Sequence, residues 1–383
     1  MKIAFIGMNL IHGGGKTVGM KITEKWLMLH PKEKLYALLP NDNEYRKIWR
    51  ENGGNESNVW WFDKVDASRN GRLKLELNGD IRRWLKKNRI DRVFNATNLP
   101  IISSPCKQTL FLHRAFLVAP INMYNEYFST SKKANIYFEK KVFSILKCHV
   151  DNWVVQTKFM KRSLMKSLSI PANKIEVIFS GADLGENKFE KEVFNEMNSK
   201  ESLKSTFDIF CPTKNYDHKR IETIIDILEN INSEVKIRFL VTLKETDAKD
   251  KELLTKLIEN IKKGNVLNLG YLTLEEMVEN YKLANAFYMP SLLESFGLPF
   301  VEAMHFSLPV LTFKKEFAGE ICGDAAFYFC EKEIVSVVAE IEELVRNKEY
   351  YKKRCEDSYI RGQKISITWF ESTQLLYESV IKS

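Results

Sequence analysis

Short apolar strands that alternate with helical segments constrain the fold of this chain more than any other feature. Helical segments such as residues 72–88 and 131–147 separate the strands. The strands read KIAFIG, KLYALLP, VWWF, RVFNA, TLFLH, NWVVQ and IEVIF in the first half, and DIFCP, VKIRFLVTL, NVLNLG, AFYMP, LPVLTF and AAFYF in the second. Because this alternation favours parallel sheets covered on both faces, we predict an α/β fold of two doubly wound, Rossmann-like domains.

The series of strands is interrupted once, and the interruption predicts the domain boundaries. A polar stretch over residues 183–205 separates the two series, and 383 residues exceed one ordinary core. We predict an N-terminal domain over residues 1–185, a linker over 186–205 and a C-terminal domain over 206–365. The closing segment, 366–383, predicts one more amphipathic helix. Ligands bind at the carboxyl ends of the strands in such sheets.

Charge is distributed unevenly along the chain. Residues 1–185 hold 31 Lys and Arg against 16 Asp and Glu, a net charge of +15, and the remainder carries −7. A basic half indicates an anionic partner, such as nucleic acid, an anionic membrane surface or a phosphorylated substrate. A solvated basic face without a partner is the alternative. The sequence shows neither a recognition helix nor a basic strand interleaved with aromatic residues, so we do not expect nucleic acid to be the partner.

Composition and the first residues predict a cytoplasmic globular protein. Hydrophobic residues make up 44% and charged residues 28% of the chain, and no apolar run approaches the ~20 residues that span a bilayer. The chain starts with a strand instead of an export signal. Its six cysteines form no Cys-x-x-Cys pair, so we expect reduced, buried thiols. Attachment at the inner face of the cell membrane is compatible with this composition.

The stretch GGGKT, residues 13–17, resembles a phosphate-binding loop without completing either common motif. The first glycine of a nucleotide-hydrolase loop falls on Leu10, and the third glycine of a dinucleotide fingerprint falls on Val18. A strand, a glycine turn and a helix from about Thr17 remain. Backbone N–H groups at such a helix start attract an anion, although a turn that only connects strand to helix is the alternative.

The most specific stretch is PSLLESFGLPFVEAMHFSLPV, residues 290–310. Pro299 suits the first turn of a helix, so Glu294 lies in the preceding loop and Glu302 about one turn into the helix. Two carboxylates therefore flank a helix start at the carboxyl edge of a parallel sheet. The helix start can hold a phosphate, and a carboxylate can accept hydrogen bonds from paired sugar hydroxyls.

This stretch resembles the signature of the retaining GT-B glycosyltransferases of glycosyltransferase family 4, Glu-x7-Glu within Pro-Ser-x-x-Glu-x-Phe-Gly-Leu-Pro-x-x-Glu-Ala-Met. AGEICGDAAFYF, DIFCPTKNYDHKRIETIIDIL and IPANKIEVIFSGAD are similar to other segments of that family. The resemblance implies a GT-B fold, with two Rossmann-like domains facing a central cleft and a final helix that crosses back to the first domain. It also implies retaining transfer of a hexose-type sugar from a UDP- or GDP-sugar.

The resemblance also implies roles for individual residues. Donor-sugar binding is expected from Gly14, Gly15, Lys214, Lys219, Glu294, Ser295, Phe296, Gly297, Leu298 and Glu302. Glu302 would bind the ribose hydroxyls, and Glu294, Lys219 and His113 would be catalytic. Lys214 stands where arginine is usual, Arg114 follows His113 where aspartate is common, and Ser307 replaces a usual glycine.

No cofactor or metal is expected, because Asp-x-Asp, the metal-binding pair of the other glycosyltransferase fold, does not occur in the sequence. Lysines and helix N–H groups would stabilise the leaving diphosphate instead, and its phosphate would act as the base for the acceptor hydroxyl.

The acceptor is expected to be a glycan, in particular a lipid-linked oligosaccharide of bacterial surface polysaccharide synthesis (lipopolysaccharide, O-antigen or capsule). Within residues 131–147, Tyr137, Phe138 and Phe143 could form one stripe flanked by five lysines, as in a helix on an anionic membrane. A packed stripe with a solvated lysine rim is the alternative. For the whole protein, a non-catalytic partner subunit and a nucleotide-binding enzyme of another class are the alternatives.

Overall fold

A computed structural model describes residues 1–11, 13–30, 34–63, 75–76, 79–182, 206–212 and 214–382. The described residues form two compact units. Unit 1 comprises Met1–Ile121, Ser129–Gly181 and Ile367–Ser383, and unit 2 comprises Asn122–Phe128 and Ala182–Ser366. The predicted linker, residues 186–205, lies outside the described residues.

Unit 1 is built on a seven-stranded sheet in which every strand pairs in parallel, in the order β3-β2-β1-β4-β5-β6-β7. The strands are β1 Ile3–Ile6, β2 Leu35–Pro40, β3 Val59–Phe62, β4 Arg92–Asn95, β5 Lys107–Leu112, β6 Asn152–Val155 and β7 Ile175–Val177. All seven predicted strands of the first half are present. The order reverses between β1 and β4, which makes the sheet doubly wound.

The helices of unit 1 are α1 Gly13–Leu29, α2 Asn43–Glu51, α3 Asp80–Lys87, α4 Thr130–Leu146, α5 Lys158–Leu168 and α14 Trp369–Lys382. Helix α1 begins at Gly13 instead of at about Thr17, because Gly13 adopts a φ of +54° that lets the chain turn directly into the helix. Within the helix predicted over 72–88, residues 75–76 and Asp80–Lys87 are helical, and Gly79 forms a turn before Asp80. Residues 72–74 and 77–78 lie outside the described residues.

The closing helix α14 packs against α1. Trp26 of α1 is fully buried and its ring lies 5.1 Å from that of Phe94. Its indole N–H donates to the carbonyl oxygen of Thr373, 3.0 Å away. Where the closing segment enters the unit, a Cβ on Gly181 would lie 2.4 Å from the Cα of Trp369. The end of the chain is therefore part of the core of unit 1.

Unit 2 contains a second parallel sheet, in the order β10-β9-β8-β11-β12-β13. Its strands are β8 Thr206–Cys211, β9 Lys236–Val241, β10 Val266–Asn268, β11 Ala286–Met289, β12 Val310–Phe313 and β13 Ala326–Phe329. Its helices are α6 Thr223–Asn230, α7 Ala248–Lys256, α8 Ile258–Lys262, α9 Leu274–Leu283, α10 Leu298–His305, α11 Glu316–Cys322, α12 Ile334–Arg346 and α13 Lys348–Ile365. The six strands predicted for the second half are present, so the prediction of two doubly wound, Rossmann-like domains is confirmed.

A short segment from the first half of the sequence, Asn122–Phe128, belongs to unit 2. The Tyr127 hydroxyl donates to Glu331 at 2.6 Å, and the Arg220 guanidinium lies 4.1 Å from the centre of the Tyr127 ring. The predicted N-terminal domain, residues 1–185, included this segment. No local sequence pattern predicts that this segment belongs to unit 2, because its contacts join residues about 90 to 200 positions apart.

Helix α4 does not carry its aromatic residues as one stripe. Phe143 is fully buried against Trp153, whereas Tyr137 and Phe138 are more than half exposed. Lys140 donates to the carbonyl oxygen of Ala119, and burial lowers its pKa to about 8. Lys147 binds another backbone carbonyl, that of Leu168. The helix therefore has a packed side and an exposed apolar side, and two of its predicted flanking lysines bind the protein.

All six cysteines are free thiols. Cys211, Cys322 and Cys355 are buried and Cys106 is partly buried, but Cys148 and Cys330 are exposed. The expectation of burial is wrong for the last two, which follow the end of a helix and the end of a strand, where the chain reaches the surface. No helix in the described part of the chain is long and apolar enough to cross a membrane.

Candidate active site

The central strands of unit 2, β8 and β11, bring two loops to the same edge of the sheet. The loop after β8 carries Lys214 and Lys219, and the loop after β11 carries Glu294 and leads into α10. Parallel neighbours end on the same side, which is where ligands bind in doubly wound sheets.

Glu294 and Lys219 form an ion pair with an Nζ–Oε1 distance of 2.5 Å, and their side chains are 16% and 13% exposed. Burial alone would raise the pKa of Glu294. The positive charges of Lys219 and His218 and the hydrogen bond from Lys219 outweigh burial and hold that pKa below its usual value. Glu294 is therefore an ionised carboxylate beside a shielded cation.

Glu302 has a different environment. Its Oε2 accepts a hydrogen bond of 2.9 Å from the Tyr281 hydroxyl. Burial raises the pKa of Glu302 to about 7, and the Tyr281 hydrogen bond offsets only part of this effect. The two carboxylates of the motif thus differ in charge compensation, since Glu294 is paired with a cation and Glu302 with a neutral hydroxyl.

The start of α10 lies between these carboxylates. Gly297 precedes the helix with a φ of +84°, and Pro299 occupies the first turn, as predicted. No side chain within the described residues caps this helix start. Pro299 has no N–H and the Phe300 N–H donates to the Gly297 carbonyl oxygen, so the Leu298 N–H is the group of this first turn that can meet an anion. Phe296 is buried, whereas Ser295 and Leu298 are partly exposed beside the helix start.

Lys214 pairs with a different carboxylate. Its ammonium is 2.6 Å from Oδ2 of Asp247, and its side chain is 44% exposed. Asp247 also caps α7, because its side chain accepts hydrogen bonds from the backbone N–H groups of Lys249 and Asp250. The cation expected to grip a diphosphate therefore already has a carboxylate partner.

The sequence analysis did not predict a pocket of about 480 Å³ that lies at the carboxyl ends of β9 and β10. Residues 243–246 and 268–271 line it. The Lys244 ammonium lies 4.2 Å from the centre of the Tyr271 ring, and Asn268 accepts a hydrogen bond from the Leu243 N–H. The pocket could have been predicted from the position of its two segments, since both lie at the ends of parallel strands and Tyr271 follows a glycine.

The remaining predicted residues lie in unit 1. A Cβ on Gly15 would lie 3.6 Å from Cε1 of His113, so the glycine turn and the histidine are neighbours, and a Cβ on Gly14 would meet open space. His113 Nε2 lies 2.8 Å from the Ala96 carbonyl oxygen and 2.9 Å from Asn98 Nδ2. Burial lowers the pKa of His113, so its ring is neutral at physiological pH.

The basic residues beside this group have acidic partners. Lys16 lies 3.1 Å from both Asp42 and Glu44. Arg114, which stands where an aspartate is common, lies 2.7 Å from Glu139. Within the described ranges, no group of three or more His, Cys, Asp or Glu residues could hold a metal ion. Independence from metal stays a prediction.

Comparison with known proteins indicates the class of enzyme to which this site belongs. Residues 193–361 match the family model described as glycosyl transferases group 1. The O-antigen chain mannosyltransferase B of Escherichia coli is 27% identical over 124 residues, which cover 32% of this chain and 32% of that protein. The aligned part therefore spans about a third of the relative's length.

Solved structures resemble the chain over its whole length. HepE of Anabaena, in complex with UDP and glucose, has a TM-score of 0.73 at 15% identity, with 100% of each chain covered. WaaG, described as a glycosyltransferase involved in lipopolysaccharide biosynthesis, has a TM-score of 0.70 at 14% identity, also over 100% of each chain. The fold is GT-B, as predicted. The activity is supported by the match to the glycosyl transferases group 1 model, which indicates a glycosyltransferase.

Proposed function

We propose that the protein is a retaining hexosyltransferase of glycosyltransferase family 4 that uses a UDP- or GDP-sugar without a metal ion. Its acceptor is a lipid-linked glycan of bacterial surface polysaccharide synthesis, and it works in the cytoplasm at the inner face of the membrane. The observation that carries the proposal is the pair Glu294 and Glu302 on either side of the uncapped start of α10, with Lys219 bound to Glu294.

Each part of the donor sugar has a chemical counterpart at this edge. The diphosphate meets the Leu298 N–H at the start of α10 and the ammonium of Lys219, which has three N–H bonds and gives one to Glu294. Glu302 accepts hydrogen bonds from the ribose hydroxyls. We assign the nucleobase to the pocket of residues 243–246 and 268–271, where the exposed Tyr271 ring offers a stacking face.

Transfer requires that negative charge develop on the leaving diphosphate as the bond to the sugar breaks. Fixed N–H dipoles and a positioned cation stabilise such charge without reorganising during the reaction. Glu294 lies on the sugar side of this arrangement, where an ionised carboxylate stabilises positive charge at the reacting carbon. The leaving phosphate takes the proton of the acceptor hydroxyl.

The exposed side of α4 supports a lipid-linked acceptor. Tyr137, Phe138 and Ile145 are 56%, 58% and 73% exposed, although all three are large and apolar. Lys141 lies beside the Tyr137 ring. Aromatic residues with adjacent lysines suit the boundary of an anionic membrane, where each Lys or Arg contributes about 1 kcal/mol of attraction.

The test is a screen of UDP- and GDP-sugars against lipid-linked and free glycans, with and without a chelator. We expect nucleotide release that depends on a lipid-linked acceptor and persists in the chelator, and a product that keeps the configuration of the donor sugar. Glu294→Gln is the matched control, because it preserves shape and removes the charge.

The alternatives give different results in the same screen. Binding of UDP or GDP without turnover with any acceptor would indicate a partner subunit. Binding of NAD or ATP, and of neither UDP nor GDP, would indicate a nucleotide-binding enzyme of another class. Equal activity on free glycans, with no binding to anionic vesicles at low salt, would contradict the lipid-linked acceptor.

A further inference from the structure

Glu302 has an incomplete set of partners for a carboxylate in a largely enclosed position. Its side chain is partly buried, and Oε2 accepts the hydrogen bond from Tyr281. Within the part of the chain that the structure describes, this hydroxyl is the hydrogen-bond partner of the carboxylate, and no cation pairs with it. A carboxylate has about four acceptor positions, so Oε1 and part of Oε2 are left for a ligand.

Tyr281 is held rigidly. It is fully buried on α9. Its ring contacts Phe210 edge-on at 5.0 Å and stacks on Phe306 at 5.5 Å with an angle of 10° between the planes. A ring enclosed in this way cannot redirect its hydroxyl to another acceptor. Burial and the neighbouring carboxylate raise the pKa of Tyr281 well above its usual value, so the hydroxyl keeps its proton.

We propose that Tyr281 is the positioning residue of Glu302: its hydroxyl fixes Oε2, so that Oε1 faces the ligand as a charged acceptor. This inference rests on the proposed function, because the ligand is the ribose of a nucleotide. Two adjacent ribose hydroxyls donate to an ionised carboxylate and lose an acceptor when it is protonated. Tyr281 acts through Glu302 and does not itself contact the ligand.

Other titratable groups around α10 face other partners. On α10 itself, burial lowers the pKa of His305, and the nearby charge of Lys282 lowers it further. On α13, which packs against α10, Arg361 donates to the carbonyl oxygens of Glu320 and Ile321.

Two further groups on neighbouring elements are neutral. The Tyr351 hydroxyl, also on α13, donates to the Asn285 carbonyl. The Cys211 thiol near Tyr281 is neutral, because burial raises its pKa to about 12. The charge of Glu302 therefore depends on burial and on Tyr281.

The consequence is coupling between pH and nucleotide affinity. Glu302 has a pKa of about 7, so affinity should fall as the pH drops through that value. The hydrogen bond from Tyr281 lowers this pKa. Its removal should move the midpoint to higher pH, by about one pH unit or more for a hydrogen bond to a charged group.

The experiment compares the wild-type protein with Tyr281→Phe, Glu302→Gln and Tyr288→Phe. Tyr288→Phe is the matched control, because Tyr288 is equally buried in unit 2 and its hydroxyl lies 2.7 Å from that of Thr223, away from any carboxylate. Carbon-13 NMR of labelled glutamate follows the Glu302 carboxyl, assigned by its absence in Glu302→Gln. Calorimetry follows UDP and GDP affinity over the same pH series.

We expect an upward shift of the Glu302 midpoint and of the affinity profile in Tyr281→Phe, a wild-type midpoint in Tyr288→Phe, and weak, pH-independent binding in Glu302→Gln. An unchanged Glu302 midpoint in Tyr281→Phe overturns the proposal, whatever the affinities. A shifted midpoint in a protein that binds neither UDP nor GDP at any pH would leave the link between Tyr281 and Glu302 intact and refute the proposed function.

Discussion

The Asp247 carboxylate binds the Lys214 ammonium at 2.6 Å and, with the same side chain, caps helix α7. A diphosphate that recruits Lys214 must compete with Asp247 for it. Asp247 therefore stabilises the fold, and under the proposed function it should weaken nucleotide binding.

Asp247→Asn should separate these two effects. Asparagine caps a helix about as well as aspartate, so stability should change little, while Lys214 gains freedom to meet a phosphate. We expect UDP or GDP affinity to rise a few-fold at low salt. Asp217→Asn is the control for net charge, since Asp217 binds Lys249 instead. Equal gains in both variants would attribute the effect to long-range charge and not to the Lys214 pair.

Lys219→Met should reverse the way in which Glu294 makes the stability of unit 2 depend on pH. In the wild-type protein the pKa of Glu294 is lowered from 4.5, so the pair stabilises the fold above that pH and the contribution is lost as the pH falls below it. Without Lys219, burial raises the pKa, so Glu294 destabilises the fold as the pH rises. We expect a loss of about 2–3 kcal/mol at neutral pH, measured by denaturant unfolding.

A double variant tests whether that loss comes from the unpaired charge. Lys219→Met combined with Glu294→Gln leaves no buried carboxylate, so most of the lost stability should return. If the double variant is as unstable as the sum of the single variants, the two side chains do not interact energetically.

Gly297→Ala should damage the start of α10. A Cβ at this position would lie 2.6 Å from the Phe300 ring, and alanine disfavours the φ of +84°. We expect a loss of about 1–3 kcal/mol and weaker nucleotide binding. Gly319→Ala is the control, because it lies in helix α11 with nothing within 4 Å of the added Cβ. That variant should be neutral or stabilised by up to about 1 kcal/mol.

Gly14→Ala distinguishes a phosphate-facing glycine from a connecting one. The added Cβ meets nothing within 4 Å, so the fold should keep its stability or gain up to about 1 kcal/mol. If a diphosphate approaches the backbone here, the methyl group should weaken binding of the donor sugar. Wild-type affinity in a stable Gly14→Ala variant would mean that the glycines at the start of α1 only connect this helix to β1.

Local patterns predicted the strands, their parallel pairing and the position of Glu294 and Glu302, because apolar periodicity and helix-start residues act over a few positions. The partners of those residues were not predictable in the same way. Asp247 lies 33 positions from Lys214 and Tyr281 lies 21 from Glu302, and only the order of the strands brings them together. The inward turn of Lys140 and the exposure of Phe138 likewise depend on how α4 packs.

The hydrogen bond from Trp26 to Thr373 joins residues 347 positions apart. During synthesis on the ribosome, the face of α1 that receives α14 emerges early, and its covering helix emerges only after unit 2. Unit 1 must therefore wait for all of unit 2 before its core closes, and it exposes an indole to solvent or to a chaperone in the meantime. A chain that ends before residue 369 would keep that apolar face uncovered, and truncation at the carboxyl terminus should cause aggregation through the first domain.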